Sequence, residues 1–225
     1  MRRSAMLQTL LRLSFLANLF FSSSLFAQNI WITPFEKSQG KASAAYQEAI
    51  SFYLKLAQKF PRFIKVKTYG VTDAGKPLHL VILSGASLFS AQEAQKKDMR
   101  VFLVNNAIHP GEPDGVDASM LFARDWCLNP AMRNELSRCV VLIIPFYNIE
   151  GALNRGCCSR ANQNGPEAYG FRGNGQNLDL NRDFIKCDSR NARAFVQIFQ
   201  EWRPDFFADN HTTNGADYAY TMTLI

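Results

Sequence analysis

Val101-Phe-Leu-Val-Asn105, running directly into Asn106-Ala-Ile-His109-Pro-Gly-Glu112, is the stretch that decides the fold. A strand with one wet face alternates apolar and polar residues, whereas a continuous apolar run suits a strand covered on both faces by helices. Val140-Val-Leu-Ile-Ile144 has the same character. Between the two runs, Gly115 to Cys127 reads as a helix. After the second comes a long Gly/Asn-rich loop, then a helix from Ser189 to Trp202 and a strand from Asp205 to Asp209. Strands spaced by helices imply parallel pairing.

Nearer the N-terminus, Ala44 to Phe60 places Ala45, Ala49, Phe52, Tyr53, Leu56 and Phe60 at helical spacing, and Pro61 ends the pattern. Ile64 to Tyr69 and Leu78 to Leu83 then flank a turn containing Gly70, Asp73, Gly75 and Pro77, which predicts an antiparallel pair. The expected architecture is a three-layer α/β/α domain with a mixed, mostly parallel central sheet.

In open α/β sheets, sites collect beyond the carboxyl ends of the parallel strands. Three polar clusters stand there: Asn105 to Glu112, Pro145 to Gly151, and Asp209-Asn-His211-Thr-Thr-Asn214-Gly215. His109 and Glu112 lie three apart across a Pro-Gly turn, so an imidazole and a carboxylate can converge on one cation while His211 arrives from another strand. Two His and one Glu leave a tetrahedral zinc ion with an open position for water. Such a zinc activates water and polarises a carbonyl, which points to hydrolysis of an amide or ester. A His-x-x-Glu spacing alone is weak, but the chain has 3 histidines and two of them fall at strand ends. The third, His79, sits inside the strand-like run Leu78-His-Leu-Val-Ile-Leu83 and is read as a strand side chain.

The first 27 residues read as a signal peptide: Arg2 and Arg3, an apolar run from Leu10 to Phe21, then small residues, with cleavage after Ala27 or Ser24. That apolar run falls short of the roughly 20 residues a membrane span needs, and no later segment reaches that length. Residues 28–225 are expected to form one domain, exported to the periplasm or the cell exterior. Loss of the leader takes the formal net charge from +6 to +3, because Arg2, Arg3 and Arg12 leave and no acidic residue does. So weak and scattered a charge does not suggest nucleic acid. Five cysteines are an odd number, so at most two internal disulfides are expected; the adjacent Cys157 and Cys158 are not expected to bond to each other.

From about Tyr69 to its end the chain resembles the zinc carboxypeptidases of the metallocarboxypeptidase superfamily. The resemblance rests on Tyr69-Gly-x-Thr-x-x-Gly-Lys-Pro-Leu78, His109-Pro-Gly-Glu112, Pro145-x-x-Asn148-x-Glu-Gly151, Asp179-Leu-Asn181-Arg182-Asp-Phe184 and Asp209-Asn-His211. It implies one zinc ion on His109, Glu112 and His211, with Asp179 orienting His109. It also implies Asn181 and Arg182 as the clamp on a peptide's terminal carboxylate, a task that suits the planar guanidinium fork. Arg160 is the matching candidate for the arginine that stabilises the oxyanion, with Arg155 and Arg172 as rivals in the same loop.

The chain departs from the family pattern at its end. The resemblance implies a general-base glutamate on a later strand, and the sequence stops at Ile225, soon after His211, with no acidic residue after Asp217. The expectation is therefore the N-terminal part of a zinc carboxypeptidase-like domain, incomplete at the C-terminus and inactive alone. The complete protein would remove the C-terminal residue of peptides. An amidase or deacylase acting on small or cell-wall peptides, and a non-catalytic peptide-binding module, are the alternatives.

Overall fold

The computed structural model describes residues 31–161 and 163–213. The predicted signal peptide and the segment after Thr213 lie outside the described residues. The described residues from Pro34 onward form one compact unit.

The unit opens with a short helix α1 (Pro34–Lys37) and the amphipathic helix α2 (Tyr46–Lys59), which buries Ala49, Phe52, Tyr53 and Leu56 as its periodicity predicts. Strands β1 (Ile64–Tyr69) and β2 (Leu78–Ser84) follow and pair antiparallel, Ile64 opposite Leu83 and Tyr69 opposite Leu78. Helix α3 (Ala91–Lys96) leads into β3 (Arg100–Asn105), and α4 (Asp114–Leu128) with α5 (Pro130–Glu135) leads into β4 (Cys139–Ile144). A one-and-a-half-turn helix α6 (Ile149–Leu153), two minimal strands β5 (Arg155–Gly156) and β6 (Tyr169–Gly170), and a 3-10 turn at Leu180–Arg182 lie within the predicted long loop. Helix α7 (Arg190–Trp202) and β7 (Phe206–Asp209) complete the described chain.

The main sheet has the order β1-β2-β4-β3-β7. β3 is parallel to both β4 and β7, and β2 alone runs against the others, so the sheet is mixed and mostly parallel in direction. With helices flanking it, this is the predicted three-layer α/β/α arrangement. β4 lies between two partners, and its residues from Val140 to Ile144 are all buried, which is why its sequence is continuously apolar. His79 sits in β2 with its Nδ1 3.3 Å from the Tyr46 hydroxyl, a strand side chain as expected.

The turn motif and the Asn148-to-Gly151 motif are scaffold. Asn148 Oδ1 accepts the Gly151 N–H at the start of α6, while its Nδ2 donates to the Arg172 carbonyl at 2.9 Å. Buried Glu150 accepts the Ala74 N–H from the turn and Asn191 Nδ2 from α7. Gly151 must be glycine, because a Cβ there would collide with the Phe171 carbonyl oxygen. These residues lash the 170–174 stretch against α6.

One expectation fails. Cys157 and Cys158 are joined by a disulfide between neighbouring residues. Cys158 takes a positive φ of 73°, a backbone conformation that helps the two side chains face each other at a Cα separation of 3.8 Å. Cys127, Cys139 and Cys187 are free thiols, so one internal disulfide forms, within the expected maximum of two.

Candidate metal centre

Parallel β3 and β7 are neighbours in register, Asn105 beside Asp209. Their carboxyl ends therefore deliver His109-Pro-Gly-Glu112 and His211 to the same place. Asn105 Nδ2 donates to Asp209 Oδ1 at 2.9 Å, and Asn210 Nδ2 donates to Asn106 Oδ1 at 2.8 Å. Two side-chain amides thus stitch the strand ends together just beneath the site. Gly111 has to be small as well, since a Cβ would lie 2.7 Å from Arg160 Cδ and 3.2 Å from the Gly170 carbonyl.

One donor atom each from His109, Glu112 and His211 falls within 4.8 Å of the other two. Donors about 2 Å from a zinc ion stand roughly 3–4 Å from one another, so the cluster has the right size for one ion. His109 and Glu112 are each 3% exposed, while the side chain of His211 is 34% exposed and forms the open side.

The protonation pattern fits as well. His109 Nε2 is 3.0 Å from Asp179 Oδ1. An ionised carboxylate only accepts, so the proton sits on Nε2 and the Nδ1 lone pair faces inward. That Nδ1 is buried and has no hydrogen-bond partner; its 3.2 Å approach to Glu112 Oε1 lacks hydrogen-bond alignment. A buried nitrogen lone pair aimed at a carboxylate oxygen is unfavourable without a cation between them, and a metal ion removes the conflict.

His211 is held on both sides. Its Nε2 is 3.0 Å from Asp209 Oδ2 and its Nδ1 is 2.9 Å from Glu112 Oε2. Without a metal these carboxylates, Asp209 first, favour the imidazolium and raise the His211 pKa to about 9. For Glu112, burial opposes ionisation, but donors that include the His211 imidazolium and the Thr212 N–H outweigh it and hold the carboxyl far below the ordinary range. Asp179 is likewise depressed: desolvation is outweighed by His109, the Asn181 N–H and the Arg172 guanidinium.

The three candidate arginines separate cleanly. Arg160 Nη1 donates to Glu112 Oε1 at 2.9 Å, at the edge of the cluster. Arg172 instead pairs with Asp179 Oδ2 at 2.9 Å, behind His109. Arg155 points away, donating to the Ser43 carbonyl at 2.6 Å. Asn181 and Arg182 follow Asp179 in the 3-10 turn; Arg182 is exposed and donates to the Asn181 carbonyl, and among the described residues no hydrogen bond or ion pair joins either one to His109, Glu112 or His211. Asp209, as the partner of His211 Nε2, is the residue that reading the sequence missed. Its signal was available: residues two apart on an extended strand project to the same side.

A family model described as zinc carboxypeptidase matches residues 49–218. No curated protein gives a match. Solved structures with a similar fold include a metallo-carboxypeptidase from Burkholderia cenocepacia, 19% identical with a TM-score of 0.59, covering 78% of this chain and 43% of that one. Carboxypeptidase A from Helicoverpa armigera is 16% identical with a TM-score of 0.58, covering 77% and 46%. A metallo-carboxypeptidase from Pseudomonas aeruginosa, in complex with (2-guanidinoethylmercapto)succinic acid, is 16% identical with a TM-score of 0.54, covering 74% and 40%. At these identities the likeness is one of fold, and the chain spans less than half the length of each of these proteins.

Proposed function

The chain belongs to the zinc carboxypeptidase family, and from that premise we propose that the protein it forms part of is a zinc-dependent metallocarboxypeptidase that hydrolyses the C-terminal bond of peptides. The observation that carries this reading is the buried, unpartnered His109 Nδ1, gathered with donors of Glu112 and His211 within 4.8 Å. We assign His109, Glu112 and His211 as the ligands of one zinc ion. Bound there, zinc supplies a Lewis acid that activates water and polarises a substrate carbonyl.

The chain's own residues divide the remaining work. Asp179 keeps the His109 proton on Nε2, and Asp209 does the same for His211. Arg160, whose guanidinium already borders the cluster, is assigned to the negative charge that develops on the carbonyl oxygen, where a fixed positive group contributes strongly. Arg182 and Asn181 are assigned to the substrate's terminal carboxylate. Glu112, Asp179 and Asp209 are each committed to a histidine. We therefore assign the general base to a residue outside the described part of the chain.

The Arg2-to-Ala27 leader pattern supports export, as does a disulfide, which persists in oxidising compartments. Among the described residues no helix is long and apolar enough to cross a membrane. The central test replaces His109 and His211 separately with alanine and measures bound zinc together with hydrolysis of C-terminally blocked and free peptides. Loss of zinc in both variants, and turnover restricted to free C-termini, is the expected result. Full zinc stoichiometry in both variants would refute the assignment.

A further inference from the structure

Arg160 reaches the metal centre from a short loop whose two ends are fastened to one residue, Tyr169. At one end, Gly156 of β5 pairs with Tyr169 of β6. At the other, the Arg160 N–H donates to the Tyr169 hydroxyl at 3.1 Å. Tyr169 is buried, and the neighbouring Gly170 N–H donates to the Pro110 carbonyl at 3.1 Å, so this post is anchored on the turn that carries His109 and Glu112. From there the Arg160 stem packs against Gly111, and its Nη1 donates to Glu112 Oε1 at 2.9 Å.

The span between the two fastenings is Cys157-Cys158-Ser159, exposed throughout, and its first two residues are joined through their sulfurs. A disulfide between neighbours closes a small ring that includes their shared peptide unit, so it restricts the backbone itself. Cys158 sits at a φ of 73°, in the left-handed region that residues with a Cβ seldom adopt. With the ring open, Cys158 is free to return to the negative φ that L-residues prefer, and rotation at that point swings the chain leading into Arg160. The other three cysteines are thiols, so this is the chain's one disulfide open to a reagent in solution.

An exposed disulfide is open to attack by a thiolate. We propose that Cys157–Cys158 is a thiol–disulfide exchange site that holds Arg160 at the metal cluster when oxidised and releases it when a dithiol reductant opens the bond. One thiolate of the reductant attacks a cysteine sulfur, which breaks the S–S bond and forms a mixed disulfide. The second thiolate displaces that cysteine. The reductant leaves as a disulfide, and Cys157 and Cys158 take up its two protons as thiols. Exchange with a disulfide runs the same steps backwards and closes the ring.

This inference rests on the carboxypeptidase reading for the task given to Arg160, and its test separates the two. The complete zinc-loaded protein is treated with dithiothreitol, freed of the reagent under inert gas, and checked by maleimide mass labelling for the opened disulfide and by metal analysis for retained zinc. Peptide hydrolysis and amide hydrogen exchange over residues 156–160 are then compared with those of the untreated protein and of protein reoxidised by a disulfide. Reduction is expected to lower kcat roughly tenfold with KM little changed, because displacing a charge that acts on the developing oxyanion costs rate more than binding. Exchange over the segment, the Arg160 N–H included, is expected to quicken. Reoxidation is expected to restore both.

Cys157→Ser with Cys158→Ser is expected to stay near the reduced values and to ignore the reagent. In Arg160→Ala, kcat is expected to be the same in both redox states, since the pair acts through that side chain. In a protein that hydrolyses peptides, an unchanged kcat after verified reduction, a redox effect on kcat that persists in Arg160→Ala, or an equal effect of the reagent on the serine variant each overturns the inference and leaves the carboxypeptidase reading standing. With no hydrolysis in any state, exchange that quickens reversibly in the wild type and not in the serine variant supports the redox site and removes the carboxypeptidase, whereas unchanged exchange overturns both.

Discussion

At the scale of single residues, the centre is governed by which nitrogen of each histidine holds its proton. Asp179 carries that decision for His109 and is itself held from the other side by Arg172. Removing an outer carboxylate of this kind typically weakens metal affinity by about 10–100-fold. Asp179→Ala is therefore expected to raise the zinc dissociation constant within that range, read by competition with a chelating dye. Arg172→Ala leaves the His109 contact in place and should do less. Equal affinity in wild type and Asp179→Ala would show that the His109 tautomer is fixed by something else. The sequence pattern pointed to Asp179, but the partner of His211 became visible only once β7 was placed, because an Asp-x-His spacing also occurs wherever a strand ends in polar residues.

At the scale of elements, two local devices hold the loop that carries Asp179, Asn181 and Arg182. The first is Asp183, which accepts the Asp188 N–H, the Ser189 N–H and the Ser189 hydroxyl, at 2.8, 3.0 and 2.6 Å. Ser189 in turn caps α7 by accepting the Ala192 N–H. Desolvation of Asp183 is outweighed by these donors, which hold its pKa below the ordinary value. A carboxyl with a depressed folded pKa stabilises the fold above the unfolded pKa of about 4 and loses that contribution as pH falls through the folded value. Asp183→Asn is expected to melt earlier near neutral pH, by about 1–3 kcal/mol of stability, with the gap closing in acid. An undiminished gap below pH 3 would argue against a charge-based role.

The second device is the close approach at Gly151. Gly151→Ala would force a Cβ against the Phe171 carbonyl, so a loss of about 1–3 kcal/mol in denaturant unfolding is expected. A neutral result would mean that the 170–174 stretch can move aside at no cost. Both devices were written in the motifs, yet the spacing of Asn148, Glu150 and Gly151 looked like part of a chemical site. Its strand-end position is shared by residues that bind ligand and residues that hold loops, and the hydrogen-bond partners of Asn148 and Glu150 tell them apart.

At the scale of the molecule, a metal ion bound by His109, Glu112 and His211 joins segments about a hundred residues apart and binds only the folded chain. Ligand binding of that kind raises stability by RT ln(1 + [L]/Kd), roughly 4 kcal/mol at a thousandfold excess over Kd. Chelation is therefore expected to lower the melting temperature of the wild-type protein by several degrees, and to leave that of His109→Ala unchanged. A chelator effect of equal size in both would place the stabilising metal elsewhere.

The sequence by itself determined the layers of the fold and pointed to His109, Glu112 and His211 as side chains that gather at one place. Continuous apolar runs such as Val140 to Ile144 report burial on both faces, and strand ends in a parallel sheet converge whatever the loops do. Tertiary structure alone decided which of three arginines borders Glu112 and that Cys157 bonds to Cys158. The physical reason is reach. Periodic burial is recorded in neighbouring residues, whereas the path of a long polar loop depends on contacts made far along the chain, and no local pattern carries that information.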